Sequence, residues 1–417
     1  MKVILITDDF YPNLGGIAHT LMNLYKKFQE TEHELLIFNP YFKGKNIFKL
    51  ITKKTEFNIF SFLKKKRRFF LSIYSFWKIF RDKTMPFSHR IKIILFFFTR
   101  SKEFINIFEN ICRLYSHMKK IDFNLLFCAH SGWIFPLTFV LSKLFNKKMV
   151  SMAHGNDFLI RNPLTLKTYF FKNCDKIIVS NKIMKRYIKE IHHLEDDRVE
   201  IINRGINPND SELNISKEDL RKKYDIPEKQ FVILSVGRHN SRKKFDLVIK
   251  AVNEIKKNYP SLNLKYYLIG QGEETLNLKK LTKELKLEKQ VEFLGTCSNE
   301  KKNEYYKLSD LFIMPTISQY NSIEGFGIVF IEANYHKLPV IGTLTGGVKE
   351  AIIDGQTGFL LRMNDLNSLI EKILALYNDR NLRIKMGEAG HERVIKDFSW
   401  DNLIYQYISI FKKISDH

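Results

Sequence analysis

The chain has 417 residues, 44% hydrophobic and 27% charged, which excludes a disordered or single-core protein and suits two or three folded domains. Its four cysteines, Cys112, Cys128, Cys174 and Cys297, are scattered without zinc or redox spacing, no stretch reaches the ~18 uncharged apolar residues of a spanning helix, and the opening apolar run turns polar at Asp8 too soon for a secretory leader. Of the net charge of +23, +16 lies between Tyr41 and Lys120, where 20 basic residues face four acidic ones, so an anionic partner surface is expected there.

Residues 3–7 form an apolar, β-branched run closed by Asp8-Asp9 and read as a buried strand. Tyr11-Pro-Asn-Leu-Gly15-Gly16 follows as a loop, and Ile17, Leu21, Leu24, Tyr25 and Phe28 then recur at helical spacing. Strand, glycine turn and helix open a parallel α/β unit; the turn either offers backbone N–H groups to a phosphate or is simply tight. The Gly-x-Gly-x-x-Gly dinucleotide spacing is absent. Residues 34–38 are a second strand.

Bases and aromatics then alternate over about 43–120, with Lys64 to Arg68 as a basic run and Phe69, Phe70, Ile73, Phe76, Trp77 and Phe80 on one helical face. Such helices suit an anionic membrane surface, or pack on the domain with a solvated basic rim. Nucleic acid is not the expected partner, since no binding motif accompanies the bases.

Regular alternation resumes with strands at 125–128, 148–153, 176–180 and 199–202. His154 heads a His-Gly-Asn-Asp157 stretch at the carboxyl end of a strand, where ligands of open α/β sheets bind, although a lone histidine is commonly structural. Turn formers from Asn203 to Ser211 read as a linker. The rhythm then repeats with strands at 231–236, 265–269, 291–294, 311–314, 339–341 and 359–361. The result is two doubly wound domains in series with a ligand cleft expected between them.

Polar groups cluster at the carboxyl ends of the second set of strands. Arg238 and Lys243 offer positive charge, Gly346-Gly347 offer backbone donors near a helix start, and Glu332 offers a carboxylate suited to a ribose diol. Glu324 and Glu332 stand eight positions apart around Gly325-Phe-Gly327, at the start of a helix expected over 328–335. They either grip two ends of one elongated ligand or are a dipole-favoured first-turn residue and a solvated helix residue.

The Glu324 to Glu332 segment resembles the Glu-x7-Glu signature of the retaining, two-domain GT-B glycosyltransferases of family 4, the glycosyl transferases group 1. Ser235-Val-Gly-Arg238 with Arg242-Lys243, Val291 to Gly295, Gly346 to Glu350 and Asp354 to Phe359 are similar to its other blocks, as are the Gly15-Gly16 loop and Ala153 to Asp157. The resemblance covers nearly the whole chain outside about 43–120. It implies an α/β GT-B fold of two Rossmann-like domains facing across a cleft. It also implies an acceptor-binding domain over 1–207, a nucleotide-sugar domain over 208–396, and a C-terminal helix over 397–417 packing back on the first domain.

It further implies roles: Glu332 on the ribose, Glu324 on the donor sugar, Arg238 and Lys243 on the diphosphate, Gly16 near the same phosphates, and His154 near the reacting carbon. The expected activity is metal-independent hexosyl transfer, with retention, from a nucleotide-diphosphate sugar to a lipid-linked or cell-envelope glycan acceptor. It needs no cofactor and takes place in the cytoplasm at the inner membrane face. A nucleotide-sugar epimerase or a catalytically silent binding module of the same architecture are the alternatives. Lys244 departs from the family pattern where glycine is usual, Arg204 where proline or asparagine is common, and Lys349 where proline is frequent.

Overall fold

The computed structural model describes residues 1–9, 16–39, 114–115, 117–132, 134–154, 156–159, 167–318 and 324–416. The basic aromatic stretch at about 43–120 lies outside the described residues except for its last few positions, as does most of the glycine loop at 11–16.

Two compact units result, Met1–Ile202 with Ile404–His417, and Asn203–Leu403. The first holds strands β1 (Lys2–Ile6), β2 (Glu34–Phe38), β3 (Leu125–Cys128), β4 (Lys148–Ala153), β5 (Lys176–Val179) and β6 (Val199–Ile201) in the order β2-β1-β3-β4-β5-β6. Every pair is parallel, with Val3 opposite Leu35 on one side and Leu125 on the other. A parallel sheet covered by helices buries both faces, which is why its strands are continuous apolar runs rather than alternating ones. Val3 to Ile6 and Leu125 to Cys128 are accordingly fully buried.

The second unit repeats the plan with β7 (Phe231–Val236), β8 (Leu264–Ile269), β9 (Val291–Gly295), β10 (Leu311–Ile313), β11 (Val340–Thr343) and β12 (Gly358–Leu361), ordered β12-β11-β10-β7-β8-β9. These pairs are parallel too. Two doubly wound six-stranded sheets are the architecture expected from the sequence. Strand order reverses between β1 and β3 in one sheet and between β7 and β10 in the other. At such reversals the connecting loops diverge and leave a crevice beyond the carboxyl ends of the strands.

The turn-rich stretch after β6 is built into the second unit rather than hanging as a tether. Ile206 pairs with Ser399, the Trp400 indole N–H donates to the Gly205 carbonyl at 3.1 Å, and Asn207 caps the helix Pro208–Ser211 through its side chain. Helix Trp400–Ser415 then carries the chain out of that unit. Its face of Trp400, Leu403, Ile404, Tyr407, Ile408 and Phe411 is buried, and past Leu403 it packs on the first unit: the Phe411 ring lies 5.1 Å from Phe127 and 6.1 Å from Phe28.

Polar groups also brace the second unit. Asp310, at the head of β10, accepts from Lys217 Nζ at 2.8 Å, Arg221 Nη2 at 2.5 Å and the Val232 amide at 2.8 Å. Burial alone would raise its carboxyl pKa, but the charges of Lys217 and Arg221 and these hydrogen bonds lower it on balance. One carboxylate thereby ties helix Lys217–Lys223 to two neighbouring strands.

Candidate functional site

In the second unit the loops after β7 and β10 meet at the strand-order reversal. Past β7 the chain turns through a short 3-10 helix, Ser241–Lys243, capped by the Asn240 side chain, which accepts from the Lys243 amide at 3.2 Å. The segment past β10 holds this turn in place: the Ile317 amide and the Thr316 hydroxyl donate to the Arg242 carbonyl at 2.8 and 3.1 Å. Arg242 Nη1 and Lys243 Nζ both donate to Glu324 Oε2 at 2.6 Å, and Lys243 Nζ also lies 3.3 Å from the Met314 sulfur.

The three charged side chains are largely buried, each between 11% and 16% exposed. Burial alone would raise the Glu324 carboxyl, yet the charges of Lys243 and Arg242 and their hydrogen bonds bring its pKa down to about 2. The group is therefore a carboxylate at any physiological pH.

Gly327 adopts a left-handed φ of 80° and begins helix Ile328–Tyr335, the span expected from the sequence. Glu332 on that helix is nearly buried, with Oε1 accepting from Lys302 Nζ at 2.8 Å and Oε2 from the Tyr306 hydroxyl at 2.9 Å. The Tyr306 ring stacks on His336 at 5.7 Å, and burial pushes the His336 pKa down to about 3, leaving the imidazole neutral.

Gly346 takes a left-handed φ of 48°, and the Gly347 amide donates to the Glu324 carbonyl at 2.8 Å. The Gly347 amide expected to face a ligand instead fixes the Glu324 backbone. Arg238 stands apart: it is 75% exposed and 3.4 Å from Glu273. Of the expected site residues here, the structure thus joins Lys243, Glu324 and Gly347, and leaves Arg238 on the surface. It adds Arg242, Lys302 and Tyr306, which sequence reasoning had not assigned to the site. Arg242 had a signal, since it sits in the same basic run as Lys243; Lys302 and Tyr306 had none, because they reach Glu332 from a separate helix, Asn299–Leu308.

Lys244, one residue past the cluster, occupies a left-handed conformation with φ 53° and ψ 38°. That explains why glycine is usual at this place in the pattern, because a Cβ is strained there. Lys244→Gly is expected to raise stability by roughly 0.5–1 kcal/mol, net of the entropy glycine loses on folding and of the Asp246 ion pair at 3.3 Å. Urea unfolding of the two proteins checks this, and a destabilised glycine variant would show that the ion pair outweighs the strain.

In the first unit, His154 follows β4 as expected, and its Nε2 hydrogen-bonds the Ala129 carbonyl at 2.7 Å. That acceptor places a proton on Nε2. Asp157 receives the amides of His154 at 2.8 Å and Ser131 at 3.0 Å. Burial would raise the Asp157 carboxyl, but His154 and these donors lower it on balance. Gly16 is the first residue of helix Gly16–Gln29, and its carbonyl accepts from the Thr20 hydroxyl at 2.9 Å. Among the described residues no group of three or more His, Cys, Asp or Glu is arranged to hold a metal ion. Nor is any described helix long and apolar enough to cross a membrane.

Residues 216–393 match the family described as Glycosyl transferases group 1, and residues 14–210 match the one described as Glycosyltransferase Family 4. An uncharacterized glycosyltransferase of Methanocaldococcus jannaschii is 28% identical over 423 residues, covering 100% of this chain and 99% of its own. A GDP-mannose-dependent alpha-(1-6)-phosphatidylinositol monomannoside mannosyltransferase of Mycobacterium tuberculosis is 29% identical over 190 residues, 45% of this chain and 49% of its own. A solved glycosyltransferase from Rickettsia africae shares the fold, with a TM-score of 0.74 at 20% identity over 99% of this chain and 98% of its own.

Proposed function

We propose, for a chain that belongs to the glycosyl transferases group 1 and is a glycosyltransferase of the GT-B fold, that it moves a hexose from a nucleotide-diphosphate sugar to a lipid-linked or cell-envelope glycan acceptor. The transfer retains configuration and uses neither metal nor cofactor. The observation that carries this reading is the Glu324 carboxylate gripped by Arg242 and Lys243 at the strand-order reversal of the second unit.

In this reading Arg242 and Lys243 take the diphosphate as negative charge builds on it, a task that fixed cations perform without reorganisation. Glu324, kept ionised by the same two cations, receives hydroxyls of the donor sugar. Glu332, oriented by Lys302 and Tyr306, receives the ribose diol. Arg238, being exposed, would reach a phosphate only as a flexible outer cation. His154, with its proton on Nε2, lies with its amide locked to Asp157 and is assigned to the acceptor unit near the reacting carbon. Gly16, at the start of that unit's first helix, is assigned to phosphate binding because it carries no side chain.

The membrane acceptor rests on the excess of +16 between Tyr41 and Lys120 and on the lipid named for the mycobacterial relative. An anionic inner-face membrane surface is the partner it suits. A thermal-shift screen against UDP, GDP and their hexoses identifies the donor, and transfer with that donor is then measured with and without EDTA. Unchanged turnover in EDTA is expected; a wild type that stops until Mg²⁺ or Mn²⁺ is restored overturns the metal-free mechanism.

A further inference from the structure

The turn that carries Arg242 and Lys243 leaves β7 through a histidine that the assigned chemistry does not use. His239 is fully buried, wedged between the turns that follow β7 and β8. Its amide donates to the Gln271 carbonyl at 3.1 Å, and its carbonyl accepts from the Glu274 amide at 2.9 Å. The approach is close enough to require glycine opposite, since a Cβ on Gly272 would stand 2.3 Å from the His239 carbonyl oxygen. The His239 ring meets Phe245 edge-on at 5.4 Å, across the Ser241–Lys243 turn, and Phe293 of β9 at 6.2 Å. Residues 239 and 245 thus close the base of the loop whose two cations hold Glu324.

One end of the imidazole is satisfied and the other is not. Nδ1 lies 3.0 Å from the Thr275 hydroxyl, which itself accepts from the Gly272 amide at 2.9 Å. Nε2 is buried with no hydrogen-bond partner among the described residues. In a neutral ring that leaves one polar atom unpaired, whichever tautomer forms. An imidazolium would leave a charged N–H there with neither water nor an acceptor, a much larger cost. Closed packing therefore selects the neutral ring.

Charges on the surrounding elements act the same way. Lys279 on helix Thr275–Glu284 repels a proton on the ring. The carboxylates nearby are engaged elsewhere: Glu273 with Arg238 at 3.4 Å, Glu274 with Asn277 at 3.0 Å, Asp246 with Lys244 and Lys250 at 3.3 and 3.0 Å, and Glu292 with Lys265 at 2.8 Å. Burial first, and Lys279 second, lower the His239 pKa from its ordinary 6.5. The opened turn thus binds a proton more readily than the closed one, and closure weakens as pH falls below 6.5, by at most about ten-fold per pH unit.

We propose that His239 is a positioning residue for Arg242 and Lys243, its neutral ring locking their turn in place and its protonation releasing it. The inference rests on the transferase reading only in taking these cations to bind the donor diphosphate; the lock itself does not depend on it.

Amide hydrogen exchange of the full chain, corrected for the intrinsic pH dependence of exchange, tests it at about pH 7.5 and about pH 5.5, either side of the ordinary histidine pKa. Protection of the His239, Lys243 and Glu274 amides should fall several-fold, up to about ten-fold, in the wild type. His239→Phe, which keeps a ring against Phe245, and His239→Asn, which keeps a partner for Thr275, should show no such fall. A wild type equally protected at both pH values, or the same fall in a folded variant, overturns the inference. Donor KM then separates it from the wider reading, because a nucleotide-diphosphate sugar keeps its phosphate charge across this window. KM should rise several-fold in acid for the wild type and hold steady in both variants. Exchange that responds while KM does not supports the lock and overturns the assignment of Arg242 and Lys243 to the diphosphate.

Discussion

Glu324→Gln should lower kcat/KM for transfer by a factor on the order of 10³, and should also destabilise the protein. The side chain keeps its shape but loses its charge, so Arg242 and Lys243 lose the counter-ion they share at 2.6 Å. In catalysis the loss is that of a preorganised charged contact in a site shielded from water. In stability it follows from the carboxyl itself, whose pKa of about 2 lies below its ordinary 4.5. A depression of that size corresponds to about 3 kcal/mol favouring the folded state.

The stabilisation is present in full above the ordinary carboxyl pKa and fades as pH falls from about 4.5 towards 2. The gap in unfolding free energy between wild type and Glu324→Gln should therefore be widest near neutrality and should close as the buffer is acidified through that window. A gap independent of pH would show that the glutamine variant loses packing rather than charge. A variant that transfers at wild-type rate would sink the role assigned to Glu324.

Asp310→Ala should be the most damaging substitution away from the site, costing about 3–5 kcal/mol because it removes the carboxylate that pairs the buried Arg221, the partly exposed Lys217 and a strand amide. Lys217, Arg221 and Val232 all lose their shared acceptor at once, and the Arg221 side chain is only 10% exposed. For a unit of this size that loss lowers the midpoint of thermal unfolding by roughly 6–20 °C. Calorimetry of the intact chain measures it. A shift under about 2 °C, less than 1 kcal/mol by the same scaling, would mean that water or a rearranged Glu replaces the carboxylate.

Much of the fold was legible because parallel strands are buried on both faces and leave unbroken apolar runs. β2, β3, β4 and β7 fall where those runs do, and helix Ile328–Tyr335 begins where Gly327 permits it. Glu324 and Lys243 were legible as chemistry at the ends of strands. What the sequence hid was the choice between neighbours. Arg238 and Arg242 look alike in a basic loop, and only the 3-10 turn at Ser241–Lys243 decides that Arg242 reaches Glu324 while Arg238 faces solvent. Contacts made across long separations were equally hidden: Lys302 to Glu332, and His130 to Asp8. Local periodicity carries no information about which distant strand ends will become neighbours.

Helix Trp400–Ser415 has a consequence for how the chain is made. Phe28 and Phe127 belong to a unit whose other residues end at Ile202, yet their aromatic cover, Tyr407 and Phe411, is translated some 200 residues later. At ordinary elongation rates that is a wait of roughly 10–40 s on the ribosome. The second unit is one uninterrupted stretch from Asn203 to Leu403 and can close as soon as it emerges. The domain synthesised first is thus the one finished last.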